Sequence, residues 1–242
     1  MKYNLYIMKT STWTQLAFCL LSSVFYACNS SHVYYLDATS GSDQNNGTSP
    51  RSAWQSIEAL KQISLQPGDK ILLKKGETFP GILEVTGKGT YTHPIIIDAY
   101  GEGNQKPCIA GNDTSMYAVR IFNSDYFTIQ NLEISNTGEK RKAGRTGLKV
   151  ECTDYGISHN IRINNLTIRD VNGSLVKEEG GGSGILIVNG GDSIRSCFDS
   201  LTIENCHILR CERNAMIWSG YYDRENWYPN KHTIVRNNVI EK

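Results

Sequence analysis

Four stretches of the chain share one pattern, and this pattern decides the fold. They read Phe-Thr-Ile-Gln-Asn-Leu-Glu-Ile (127–134), Ile-Arg-Ile-Asn-Asn-Leu-Thr-Ile (161–168), Leu-Thr-Ile-Glu-Asn-Cys-His-Ile (201–208) and Thr-Ile-Val-Arg-Asn-Asn-Val-Ile (233–240). Apolar residues alternate with other residues, except at Thr233, and an asparagine follows with isoleucine three positions later. Alternation of this kind indicates a strand with one buried face. Each copy therefore predicts a strand, a corner and a second strand.

The corner residue of each copy is an asparagine. The four are Asn131, Asn165, Asn205 and Asn237, spaced 32 to 40 residues apart. Asparagine tolerates the left-handed backbone conformation that a one-residue bend requires. Amide side chains stacked on identical corners can also hydrogen-bond from one coil to the next. We therefore expect a column of stacked asparagines.

A third strand follows each of the first three copies, at Gly147–Glu151, Gly184–Asn189 and Asn214–Gly220. Three strands per coil, stacked in parallel, predict an all-β, right-handed parallel β-helix. A β-propeller is the alternative, but its antiparallel blades need hairpin turns, and these linkers are too irregular to supply them.

The residues before the coils predict an N-terminal cap over 33–69, with coils from 70 to 242. Ser49 suits a helix N-cap, and Pro50 suits the first helical position. Ala53, Ile57 and Leu60 follow at helical spacing. We therefore expect one short α-helix over about 50–63.

The first residues predict export. Lys9 precedes an apolar run, Leu16–Ala27, that is shorter than the roughly 20 residues of a membrane-spanning helix. Ala27-Cys28 resembles the cleavage point of a bacterial lipoprotein, which implies a signal peptide at 1–27, a lipidated Cys28 and a tether at 28–32. The expected location is the cell envelope, periplasmic or at the cell surface, with the membrane reached only through the lipid. A simple secretion signal is the alternative.

Composition excludes several classes of function. The 242 residues carry 25 Lys and Arg against 24 Asp and Glu, so no basic surface for nucleic acid is expected. No Cys and His cluster has zinc-ligand spacing, and no Asp cluster on adjacent coils indicates a calcium site, so the metal assignment is unknown.

Five cysteines remain after Cys28, and we expect most of them to be buried, with one disulfide as an alternative.

The chain resembles pectate-lyase-like right-handed β-helix proteins over nearly all of residues 33–242, most clearly in their cap and first coils. The residues that carry this resemblance are 37–43, 46–50, Ala53-Trp54, 67–73, 76–79 and 93–101. The resemblance implies an exported protein that degrades an acidic or plant cell-wall polysaccharide. It does not choose a chemistry, because the superfamily contains polysaccharide lyases, glycoside hydrolases and proteins with no known activity.

The resemblance also implies a substrate groove along the third strand of each coil. Aligning Gly147, Gly184 and Asn214 predicts which side chains point outward. They are Lys149, Glu151, Leu186, Val188, Met216 and Trp218.

Two chemistries suit this face. A lyase neutralises a uronic carboxylate, with Ca²⁺ or arginine, and removes a proton with a base, for which Lys149, Arg145 and Arg213 are candidates. A hydrolase needs two carboxylates, and Glu151 with Glu178 or Glu179 is the obvious pair. We take Lys149, Glu151 and Arg213 as the catalytic candidates, with Ca²⁺ as a cofactor only for a lyase.

Aromatic residues cluster after the last third strand. Trp218, Tyr221, Tyr222 and Trp227 lie among acidic and basic residues, a mixture that suits stacking and hydrogen bonding to sugar rings. The alternative is that these rings cover an edge of the β-helix.

The last repeat ends at Ile240-Glu241-Lys242, directly after its corner. Because solenoids need covered ends, we expect the coils to be incomplete at the C-terminus, or else to associate end to end. The predicted function is a polysaccharide lyase or hydrolase. The alternative is a non-catalytic glycan-binding protein or an inactive remnant.

Overall fold

Short strands follow one another along nearly the whole chain in the computed structural model, which describes residues 31–220 and 223–242. Their alternating apolar residues give each strand one buried face. The strands are β1 (Val33–Leu36), β2 (Lys70–Lys74), β3 (Thr78–Pro80), β4 (Leu83–Val85), β5 (Ile95–Tyr100), β6 (Cys108–Ala110), β7 (Tyr117–Phe122), β8 (Phe127–Gln130), β9 (Glu133–Asn136), β10 (Arg145–Thr153), β11 (Ile157–Asn164), β12 (Thr167–Val171), β13 (Gly182–Gly190), β14 (Cys197–Glu204), β15 (His207–Cys211), β16 (Asn214–Ser219), β17 (Ile234–Arg236) and β18 (Val239–Glu241).

From β2 onward, every third strand joins the same parallel sheet, and β1 extends sheet 1 beside β2. Sheet 1 has the order β1-β2-β5-β8-β11-β14-β17, sheet 2 has β3-β6-β9-β12-β15-β18, and sheet 3 has β4-β7-β10-β13-β16. Each coil contributes one strand to each sheet, so the three sheets form the three faces of a solenoid. This arrangement confirms the predicted parallel β-helix.

The asparagine corners between sheets 1 and 2 are confirmed. Asn131, Asn165, Asn205 and Asn237 have φ of 59°, 51°, 56° and 54°, all in the left-handed region. Asn165 Nδ2 donates to Asn131 Oδ1 at 2.7 Å, which is the predicted stacking. Asn205 departs from it, because its Nδ2 donates to Asn164 Oδ1 at 2.9 Å.

The core is the interior of the solenoid, and the inward isoleucines of the repeats fill it. Ile129, Ile163 and Ile203 stack on one another in register and are fully buried. Each such side chain stabilises the fold by about 1.5–3 kcal/mol relative to an exposed one. Stacking on successive coils therefore holds the sheets together.

The cysteines after residue 30 contribute to this core as free thiols. Cys108, Cys152, Cys197 and Cys206 are buried and Cys211 is half-buried, and these five form no disulfide. Burial raises the pKa of Cys108 to about 11, so its thiol stays protonated at neutral pH.

The cap contains two short 3₁₀ segments, Pro50–Ser52 and Ile57–Gln62, in place of the predicted α-helix over 50–63. Ser49 is confirmed as the N-cap, since its Oγ accepts a hydrogen bond from the Ser52 N–H at 3.2 Å. The helix cannot continue because Trp54 forms a parallel bridge to Leu36 in β1. Tertiary pairing thus overrides the helical pattern.

Between residues 31 and 220 and from 223 onward, no helix is long and apolar enough to cross a membrane. The predicted signal peptide, Cys28 and most of the tether lie outside the described residues.

Candidate functional site

The register of sheet 3 differs from the predicted one at its last strand. Asn214 pairs with Ser183 rather than with Gly184. Gly184 therefore aligns with Ala215, and a Cβ built on Gly184 would lie 2.8 Å from the Ala215 carbonyl oxygen. The close approach of the two coils leaves no room for a side chain at Gly184.

This one-residue difference reverses the faces of β16. Trp218 pairs with Ile187, which is fully buried, so Trp218 lies on the core face of sheet 3. Met216 is on the core face as well, because it pairs with Ile185. The predicted outward positions of Met216 and Trp218 are therefore wrong.

Four charged side chains form a connected row on the outer face of sheet 3. This sheet 3 charge row consists of Glu84 on β4, Arg120 on β7, and Lys149 and Glu151 on β10. Lys149 Nζ and Arg120 Nη2 each lie 2.7 Å from Glu151 Oε2. Arg120 Nη1 reaches Glu84 Oε2 at 3.3 Å. Two of the predicted catalytic residues, Lys149 and Glu151, thus contact each other directly.

Electrostatics keep Glu151 ionised. Burial acts to raise its pKa, but the hydrogen bonds and charges of Lys149 and Arg120 outweigh burial and hold the pKa of Glu151 below its usual value. A carboxylate of this kind suits a nucleophile, a base or a hydrogen-bond acceptor. It does not suit a general acid, which must hold a proton near neutral pH.

Aromatic and apolar groups border the row. The Arg120 guanidinium lies over the Phe122 ring, 4.1 Å from its centroid, and the Tyr117 hydroxyl donates to Glu84 Oε2 at 2.6 Å. On the next strand, Leu186 pairs with Lys149 and Val188 pairs with Glu151, so an apolar strip continues the face. The surface combines charged hydrogen-bonding groups with flat apolar area.

Arg213, the third catalytic candidate, is not part of this row. It precedes Asn214, which lies two strands away from Thr146 on β10. Arg213 is therefore about 13 Å along the strands from the level of Lys149, and two strands across the sheet. Its Nη1 lies 3.5 Å from the Leu175 carbonyl oxygen.

Arg145, another candidate base, has a structural position. Its side chain is 1% exposed and donates to the carbonyl oxygens of Asp113, at 2.7 Å, and Lys140, at 3.2 Å. It also donates to the Asn172 side chain. These bonds tie the loop before β10 to its neighbours, so substrate cannot reach this guanidinium.

The proposed pairing of Glu151 with Glu178 or Glu179 is not formed. Both glutamates lie in the loop before β13, and Glu179 accepts a hydrogen bond from the Ser174 hydroxyl. Glu151 instead pairs with Val188, which lies near the C-terminal end of β13. The two glutamates precede the N-terminal end of that strand. The second carboxylate near Glu151 is Glu84, which the sequence analysis missed because it precedes the repeats.

Of the predicted aromatic group, Trp227 is 74% exposed in the loop between β16 and β17, and Trp218 is 39% exposed despite its position on the core face. Tyr221 and Tyr222 lie outside the described residues. Within the described part of the chain, no group of three or more His, Cys, Asp or Glu side chains is arranged to hold a metal ion.

Sheet 1 carries a second charged surface, which the sequence analysis also missed. Glu204 on β14 lies between Arg162 on β11 and Arg236 on β17, and the three border a cleft of about 350 Å³ that Tyr91 also lines. We call this surface the arginine cleft. The sequence indicates this cleft through its repeats, because Arg162, Glu204 and Arg236 occupy outward positions in three consecutive copies.

No family model matches the sequence. The chain is similar to a lacto-N-biosidase of Bifidobacterium longum, with 27% identity in an alignment 208 residues long that covers 65% of this chain and 13% of that protein. It is also similar to the α-1,3-galactosidase A of Akkermansia muciniphila, with 32% identity over 66 residues, or 27% of this chain and 11% of that protein.

A solved structure, the GH136 lacto-N-biosidase of Eubacterium ramulus, superposes with a TM-score of 0.74. The fold is the same. The match has 24% identity and covers 95% of this chain and 43% of that one, so the described β-helix corresponds to less than half of the solved chain. The likeness agrees with the three parallel sheets and confirms the β-helix architecture that the resemblance implied.

Proposed function

We propose that this β-helix acts on glycans by hydrolysis of a glycosidic bond, with the sugar lying on the outer face of sheet 3. One observation carries the proposal: an ionised carboxylate, Glu151, is joined to a second carboxylate, Glu84, through the guanidinium of Arg120. Glycosidases use two carboxylates that flank the scissile bond. The similarity to two glycosidases supports hydrolysis over elimination.

The row assigns a role to each side chain. Glu151, held as an anion, would act as the nucleophile or the base. Glu84, whose side chain is 48% exposed, is the second carboxylate, and it would act as the acid only after bound sugar separates it from Arg120 and lets it take up a proton. Lys149 and Arg120 would hold Glu151 in place and stabilise its charge, so Lys149 is a positioning residue rather than the base of an elimination. Phe122 and the apolar strip would contact the faces of the sugar rings.

Non-catalytic glycan binding is the second candidate function. The observation that favours it is the pairing of both carboxylates with cations, which satisfies Glu84 and Glu151 within the row. A binding surface needs such groups to form hydrogen bonds with hydroxyls and needs no proton donor.

Product analysis separates these functions. The purified chain would be incubated, with and without calcium, with a lacto-N-biose-terminated oligosaccharide, an α-1,3-linked galactoside and a panel of uronic-acid polysaccharides. New reducing ends alone would indicate hydrolysis. Reducing ends together with the absorbance of an unsaturated uronide would indicate elimination and contradict the proposal. Binding without products would favour the second candidate.

Substitutions in the row test the roles. Glu151→Gln should abolish hydrolysis while leaving sugar binding measurable. Glu139→Gln, on an exposed loop, is the matched control and should leave both unchanged. Full hydrolysis by Glu151→Gln would contradict the proposed role of this carboxylate.

We propose further that the protein is exported and anchored to the cell envelope through a lipid on Cys28. The basic Lys9, the short apolar run and Ala27-Cys28 support this proposal. Labelled fatty acid should be incorporated into the wild-type protein and not into Cys28→Ser. Equal labelling of the two would contradict it.

A further inference from the structure

The arginine cleft has an unusual distribution of charge. Each oxygen of Glu204 receives one arginine: Arg162 Nε donates to Oε1 at 2.9 Å, and Arg236 Nε donates to Oε2 at 2.8 Å. The side chain of Glu204 is 3% exposed, whereas those of Arg162 and Arg236 are 53% and 59% exposed. One buried carboxylate thus holds two guanidiniums at the surface.

The two guanidiniums retain unused hydrogen-bond donors. Each has five N–H groups and directs two of them, one on Nε and one on Nη2, at Glu204. In the described part of the chain, these two guanidiniums hydrogen-bond only to Glu204. Three N–H groups on each arginine therefore remain for another acceptor, and the cluster has a net charge of +1.

The surroundings suit a sugar that carries this acceptor. Thr128, Thr202 and Ser200 supply hydroxyls, and Asn160 supplies an amide, at the wall of the same cleft. Tyr91 stands at the cleft with its ring 83% exposed. The volume of about 350 Å³ is at the lower end of small-molecule sites, which measure roughly 300–1,000 Å³.

We propose that the arginine cleft is a second glycan-binding site, specific for an acidic sugar whose carboxylate or sulfate ester binds Arg162 and Arg236. Guanidiniums recognise both anions through paired N–H groups. Glu204 fixes the two arginines side by side, and the hydroxyls of Thr128 and Thr202 bind the ring. That the ligand is a sugar rests on the proposed function, whereas the site itself lies on a different sheet.

Titration with defined saccharides tests the proposal. The probes are a sialylated galactoside, a sulfated galactoside, the corresponding neutral galactoside and inorganic sulfate. We expect at least one acidic sugar to bind about tenfold or more tightly than the neutral one, because charge-assisted hydrogen bonds are involved. The two acidic probes distinguish the carboxylate from the sulfate ester. Equal binding of acidic and neutral sugars would overturn the proposal, as would equal binding of inorganic sulfate and the sulfated sugar.

Variants place the site on the molecule. Arg162→Gln and Arg236→Gln should each remove most of the preference for the acidic sugar. Arg210→Gln is the matched control, because Arg210 is also 53% exposed and pairs with Asp170 on sheet 2. An unchanged preference in both cleft variants, shown to be folded by circular dichroism, would overturn the proposal. Glu151→Gln should leave this preference unchanged, so failure of the sheet 3 proposal can be recognised separately.

Discussion

Sheets 1 and 3 each hold a glutamate between two cations, yet the sheet 3 charge row and the arginine cleft differ in net charge. On sheet 3, Glu151 binds Lys149 and Arg120, and a second acid, Glu84, balances the row. In the arginine cleft, Glu204 stands alone between its arginines. The charge row therefore has no net charge, whereas the three residues of the cleft have a net charge of +1.

The difference shows how neighbouring coils set the specificity of a solenoid face. Both faces use the same device, in which outward residues on adjacent parallel strands meet at a spacing of about 4.8 Å. Under the two proposals above, one additional acid on an adjoining coil would decide whether the face binds a neutral sugar or an acidic one. The following predictions test this comparison.

The largest expected effect is on sheet 1. Glu204→Leu removes the carboxylate that separates Arg162 from Arg236, and it should lower the free energy of unfolding by about 2–3 kcal/mol, because charge-assisted hydrogen bonds to both arginines are lost. Urea denaturation would measure the loss. Glu204→Gln retains the shape and one acceptor and should cost less. A loss below about 1 kcal/mol for the leucine variant would contradict the central role of Glu204.

On sheet 3 the corresponding substitution removes the shared cation. Arg120→Met leaves Glu84 without a cation and takes the guanidinium from Phe122, and it should lower the free energy of unfolding by about 2 kcal/mol. Lys149→Met should cost less than about 1 kcal/mol, because Arg120 still neutralises Glu151. Denaturation midpoints of the two variants would show the order, and a reversed order would contradict the central position of Arg120.

Acid should weaken both faces, and the sign follows from the lowered pKa values. The hydrogen bonds from Arg236 and then Arg162 hold the pKa of Glu204 below 4.5, its ordinary value, and Glu151 is shifted in the same direction. Each glutamate therefore stabilises the fold fully above pH 4.5 and loses this contribution as pH falls through its lowered pKa. Glu204→Gln should flatten the loss of stability below pH 4.5. An unchanged pH profile would show that Glu204 has an ordinary pKa.

The smallest effect on stability concerns Glu84. Its side chain is half-exposed, so Glu84→Gln should change the free energy of unfolding by less than about 0.5 kcal/mol. The same substitution should abolish hydrolysis if Glu84 is the acid. If Glu84→Gln loses activity but keeps its sugar binding and its stability, Glu84 is needed for catalysis and not for binding. Retained activity would remove Glu84 from the proposed mechanism.

The sequence predicts the coils well because their physical causes are local. Alternating isoleucines select a buried face, and Asn131, Asn165 and their equivalents select a left-handed corner. The prediction of an α-helix in the cap is wrong. It rests on a local pattern, whereas the bridge from Trp54 to Leu36 that interrupts the helix joins residues distant in sequence. Local patterns thus predict the strands and corners of each coil, but they do not predict the contacts between the coils and the cap.

The candidate sites were predicted less completely, since each depends on the register between coils. Lys149 and Glu151 could be found because they alternate on one strand. Arg120 and Glu84 join the row by pairing with other strands, and the register of β16 places Ala215, rather than Asn214, beside Gly184 in a column of small residues. A column of small residues is a sequence signal, but it is recognisable only once close approach of the coils is known to occur there.

The asparagine corners allow the loops between coils to differ in length as the sequence evolves. They are 32 to 40 residues apart in sequence, yet the strands beside them pair in continuous register. Loops between strands therefore absorb differences in length without moving the outward columns. Insertions can remodel the rim of either face while the spacing between its charged groups stays constant, so recognition can diversify without the coils being rebuilt.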